Sequence, residues 1–65
     1  MNNADRIYSF LDEHGESSAV TIATELGLGA NETRRALDEL YSDGRVILLM
    51  RGLCRMYDVP RERAA

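Results

Sequence analysis

The sequence predicts a small α+β domain in which three short helices are followed by a two-stranded β-hairpin. Three observations carry that prediction. Apolar residues recur at three- and four-residue spacing in three successive segments up to about residue 43. A glycine closes each of these segments, at Gly15, Gly27 and Gly44. Beyond Gly44 the pattern changes to two runs rich in β-branched, aromatic and long apolar residues.

The first helix is predicted over Ala4–His14, with Ile7, Phe10, Leu11 and His14 on one face. Asn2 or Asn3 suits its N-cap, Asp5 the positive end of its dipole, and Gly15 a left-handed ending. Ser18 is the natural cap of a second helix, Ala19–Leu26, which presents Ala19, Ile22, Ala23 and Leu26 to one side. Gly27-Leu28-Gly29 then makes a tight turn, with Leu28 filling the gap between helices. The third helix runs from Ala30 to about Asp43, turning Thr33, Ala36, Leu37, Leu40 and Tyr41 inward and Asn31, Arg34, Arg35, Asp38 and Ser42 outward. Helix, turn of about three residues, helix is the spacing of a helix-turn-helix. Arg45–Met50 and Cys54–Val59 are the predicted strands, with Arg51-Gly52 in the turn and Pro60 closing the second. Residues 1–60 form one domain and residues 61–65 a flexible C-terminal tail.

With 65 residues the chain holds one domain, and a domain of that size buries roughly 60% of its unfolded surface. The expected core is Ile7, Phe10, Leu11, Ile22, Leu26, Leu37, Leu40 and Val46. The longest apolar run, Val46 to Met50, is too short to span a bilayer, and the N-terminus lacks the marks of a secretory signal. Both features point to the cytoplasm and away from a membrane partner. Cys54 is the single cysteine, so no internal disulfide forms, and no Cys/His cluster is present to hold a metal.

The net charge of −3 weighs against a nucleic-acid partner until its distribution is considered. The first 29 residues set Arg6 against five acids, whereas residues 30–65 carry seven arginines against six acids. Every cation is arginine, whose planar fork suits phosphate or guanine, although a GC-rich genome produces the same bias.

The string GESSAVTIATELGLGANETRRALDELYSDGRV, Gly15 to Val46, resembles the core of winged helix-turn-helix transcriptional regulators. Their pattern is a capped T/S-x-x-x-I-A-x-x-L-G-L helix, then R-R-A-L-x-x-L-x-x-x-G-x-V and a β-wing. The resemblance implies a winged-helix fold, a three-helix bundle whose hairpin is the wing. It also implies double-stranded DNA as partner and a role as a small transcription regulator. A narrower resemblance, at fewer positions, is to the Zalpha domain, which binds left-handed nucleic acid with the same architecture. This chain departs from that pattern at Asp38, where the family places a key tyrosine. Its hairpin also has neither the tryptophan nor the proline of that family's wing.

By analogy with winged helices, the third helix enters the major groove and Asn31, Arg34 and Arg35 read bases or grip phosphates. The backbone N–H groups of Gly29, Ala30 and Asn31 offer a phosphate seat. Asp38 would repel phosphate. The bland alternative is that Arg34 pairs with Asp38, and Arg35 with Glu39, each four residues apart. In the wing, Arg51 at the tip and Arg55 on the returning strand suit backbone phosphates, with Arg45 at the base.

The first predicted strand is apolar throughout instead of alternating. If Val46 and Leu48 face the core, Ile47 and Leu49 point outward, and Leu53 and Met56 join them. With Tyr8 from the first helix, this surface suits a homodimer or another protein partner. The second reading of the chain is therefore a protein-interaction module. No nucleophile–base set, paired acids or phosphate loop is present to argue for an enzyme, a cofactor or a small-molecule substrate. His14 fits the negative end of the first helix, and Cys54 reads as a small strand hydrophobe.

Overall fold

The computed structural model describes residues 2–61. Three helices, α1 (Asn3–His14), α2 (Ala19–Leu26) and α3 (Ala30–Ser42), precede strands β1 (Ile47–Arg51) and β2 (Cys54–Asp58). The predicted order and element types hold, α2 with the expected bounds and the other elements with ends shifted by at most two residues.

Local chemistry sets the helix ends. The Asn2 side chain accepts the Asp5 N–H at 2.8 Å, and the Ser18 hydroxyl oxygen accepts the Thr21 N–H at 3.2 Å, each satisfying a donor that the first turn leaves unpaired. Gly15 ends α1 at φ 86°, ψ −161°, an extended mirror-image conformation instead of the expected left-handed helical one. That region is essentially closed to residues with a Cβ. His14 stacks on Phe10 with ring centroids 4.4 Å apart.

Ile7, Leu11, Ile22, Leu37, Leu40 and Val46 are fully enclosed, as expected. Phe10 and Leu26 lie at the margin of this core, and Ala4, Ala36 and Val59 complete it. Thr33 is buried too, and its hydroxyl donates to the Gly29 carbonyl at 2.9 Å. Tyr41, expected inside, is 55% exposed because its place near the end of α3 projects past the packed turns.

The strands pair antiparallel, from Ile47 opposite Asp58 to Arg51 opposite Cys54. The turn is therefore Gly52-Leu53, not Arg51-Gly52. Gly52 has φ 63° and Leu53 a negative φ, the pattern of a II′ turn, which demands glycine first. At the hairpin root, Ser17 forms an antiparallel bridge with Tyr57, their N–H and C=O groups bonded both ways at 2.9 and 2.7 Å. The wing is thus tied to the α1–α2 connection. Val46 and Val59 are buried, but Leu48, two residues along the same pleated face, is 37% exposed and does not join the core. The hairpin outgrows the helices beneath it.

Arg61, expected to begin a free tail, instead donates to the carbonyls of Leu11 and Asp12 at 3.2 and 3.1 Å. The rest of that tail, 62–65, lies outside the described residues. Among the described residues no helix is long and apolar enough to cross a membrane, and no group of His, Cys, Asp and Glu could hold a metal ion.

Candidate nucleic-acid interface

The core residues of α3 hold one face of that helix against α1 and α2, leaving Asn31, Arg34, Arg35, Asp38 and Ser42 on the solvent side. The two arginines diverge across the helix crest. Arg34 borders a depression of about 230 Å³ between α2 and α3 that also includes Val20 and Thr24. Arg35 borders a groove of about 690 Å³ between α3 and the start of α1, together with Asn2, Asn3, Asn31 and Glu39.

The seven described arginines fall into two groups. Four are occupied within the fold. Arg6 donates to the Leu26 carbonyl at 3.0 Å, at the negative end of α2. Arg45 lies over the Tyr8 ring at 4.6 Å from its centroid and 3.7 Å from the Asp5 carboxylate. Tyr8 is consequently covered from solvent on that side, not offered to a partner as the sequence suggested. Arg61 serves the end of α1 and also approaches Asp58. Arg51 makes a two-pronged ion pair with Glu16, Nε donating to Oε2 at 2.7 Å and Nη2 to Oε1 at 2.8 Å. The guanidinium's hydrogen bonds hold the Glu16 carboxyl below its ordinary range, and Glu16 raises the arginine in return. Arg51 is therefore not a free cation at the wing tip.

The other three, Arg34, Arg35 and Arg55, make no hydrogen bond or ion pair among the described residues. The bland pairings of Arg34 with Asp38 and of Arg35 with Glu39 do not form. Arg55 stands opposite Met50, on the face of the hairpin that holds Tyr57 nearer the root.

The N-terminus of α3 is less open than expected. Glu32 reaches back so that its Oε1 accepts the Gly29 N–H at 3.2 Å. One donor of the expected phosphate seat is thereby filled by the chain's own carboxylate, which also brings negative charge to that turn. The Gly29-x-x-Glu32 spacing is the acidic half of a capping box, and that was the signal available in the sequence.

On the outer hairpin face, Ile47 is 39% exposed and Leu53, at the turn, is fully exposed. Leu49 and Met56 are opposite each other and half-buried, and Cys54 is exposed.

No protein-family model matches the sequence, and no curated protein matches it. Among solved structures, the Zalpha domain from Carassius auratus PKZ, in complex with Z-DNA, is similar over 88% of this chain and 90% of that one. The TM-score is 0.78 at 30% sequence identity. This chain belongs to the Zalpha family. The match supports the winged-helix resemblance and, within it, the narrower one to the Zalpha domain. The chain keeps the three helices and a two-stranded wing.

Proposed function

We propose that the domain binds double-stranded DNA, the left-handed form foremost, laying α3 and the hairpin on the duplex. Asn31, Arg34, Arg35 and Arg55 make the contacts, and Arg51 instead braces the wing through Glu16. The observation that carries this reading is the set of three arginines left without acidic partners, two of which, Arg34 and Arg35, have an acid one helical turn away. An exposed arginine with no internal partner exchanges its hydration for phosphate contact at little cost. The Z-DNA complex of the similar Carassius auratus domain supports the choice of DNA form.

Contacts of this kind are to the sugar–phosphate backbone, so they read the shape of a duplex before its sequence. Asp38 in the middle of the crest restricts how closely phosphates approach and favours a backbone path that passes to either side of it. A small transcription regulator working in the cytoplasm, with α3 in the major groove of a right-handed duplex, is the alternative form of the same reading, favoured by the helix-turn-helix spacing. The protein-interaction reading draws instead on the exposed apolar hairpin. In each form the domain is a binding module, not a catalyst.

Fluorescence anisotropy with labelled duplexes tests the proposal. The domain should bind a duplex locked in the left-handed form more tightly than a random right-handed one. Arg34→Glu with Arg35→Glu should abolish binding to both while the circular dichroism spectrum stays unchanged. Equal binding by the charge-reversed variant would overturn the assignment of α3. A preference for right-handed duplex would favour the regulator form.

A further inference from the structure

We infer that β1 is a docking edge for a second copy of this chain, joining two hairpins into one continuous antiparallel sheet. β2 is paired on both sides, with β1 on one and Ser17 on the other. β1 is paired on one side only, and no backbone bond among the described residues reaches its open side.

The register defines which groups are unpaired. In a hairpin closed by two residues, the Arg51–Cys54 pair exchanges both backbone bonds, so Leu49 and Ile47 also turn towards β2. The N–H and C=O groups of Leu48 and Met50 then point to the open side. An edge strand is ordinarily guarded by a lysine, a proline, a bulge or a covering element. β1 has none of these: Ile47, Leu48, Leu49 and Met50 are consecutive apolar residues, and Leu48 and Met50 are 37% and 58% exposed.

Charge and register select a second copy as the occupant. The one charge on β1 is Arg51, at its end, and Glu16 of the same chain neutralises it. Two β1 strands related by a two-fold axis through Leu49 would pair Leu48 of one with Met50 of the other, twice. Those are the residues whose backbone groups are free, so four hydrogen bonds would close. Leu49 would meet its own counterpart, and each Arg51 would fall opposite Ile47 of the second copy. The two like charges would thus stand at opposite ends of the seam. The Ile47, Leu49, Leu53 and Met56 face would extend across both hairpins.

Sedimentation equilibrium over about a hundredfold range of concentration, coupled to amide hydrogen exchange, tests the inference. The mean mass should rise with concentration from 7.3 kDa towards twice that value. Over the same range, exchange at the Leu48 and Met50 amides should slow at least tenfold, while the Ile47 and Leu49 amides change little. Met50→Pro removes an open-side donor and Met50→Lys adds repulsion at the seam. Each should hold the mass at the monomer value, with the helical circular dichroism signal intact. A wild-type mass that stays at the monomer value throughout would overturn the inference. So would association that survives Met50→Lys, or that leaves the Leu48 amide unprotected, because either places the contact elsewhere.

Discussion

The division of the arginines into three unpartnered and four occupied yields a quantitative expectation for the salt dependence of DNA binding. Each phosphate neutralised by a protein cation releases condensed counterion, and the logarithm of affinity falls with the logarithm of salt at about 0.9 per contact. Arg34, Arg35 and Arg55 together would give a slope of about −2.7, so raising salt fourfold would weaken binding about 40-fold. Arg34→Gln with Arg35→Gln leaves Arg55 alone, and the slope should flatten to about −0.9, a loss of roughly fourfold for the same change. Arg45→Gln should leave the slope as it is, since Arg45 is held by Tyr8 and Asp5. The assay is anisotropy of a labelled left-handed duplex at four or five salt concentrations. A wild-type slope steeper than about −5 would refute the reasoning, because it requires cations that the fold has already engaged. An unchanged slope in the double variant would refute it as well.

Other perturbations follow from single contacts. Leu37, fully buried on the core face of α3, should cost about 2–5 kcal/mol when changed to alanine. A thermal melt that does not shift would mean that α3 packs by some other face. Asp38→Asn should tighten DNA binding nearly threefold, from about 0.6 kcal/mol of repulsion by a phosphate some 7 Å away in water, and weaker binding would show that the carboxylate makes a useful contact. Glu16 has its pKa lowered in the folded state by its hydrogen bond from Arg51, so its contribution to stability is complete above the ordinary carboxylate range and is lost only as pH falls below that range, through the lowered folded-state value. The melting temperature of Arg51→Gln should therefore lie below that of the wild type near neutral pH and converge with it in acid. A gap that persists in acid strong enough to protonate Glu16 in the folded protein would assign the effect to packing of the arginine stem.

The helices were legible because their periodic apolar faces, caps and glycine stops agree with one another. Six of the eight expected core residues are fully enclosed for the same reason. Val59 was missed because nothing in its own neighbourhood indicates that the strand returns beneath the helices. The turn was misplaced by one residue. Glycine marks a hairpin turn without saying which central position it fills, and only the pairing of Arg51 with Cys54 settles that. Arg51 itself was misread for a different reason. Its partner, Glu16, is 35 residues away, and long-range ion pairs leave no periodic trace. Arg34 and Arg35 were opposite in kind. The sequence offered each a local acid, and neither pair forms in the fold.

The Ser17–Tyr57 bridge gives the hairpin a mechanical role. Its stem is clamped by two short hydrogen bonds to the residue just before the Ser18 cap of α2. The wing therefore works as a lever whose fulcrum lies at its root and whose long arm ends at Leu53. A load applied there, by a duplex or by another strand, is delivered to the first turn of α2, the helix that borders Arg34.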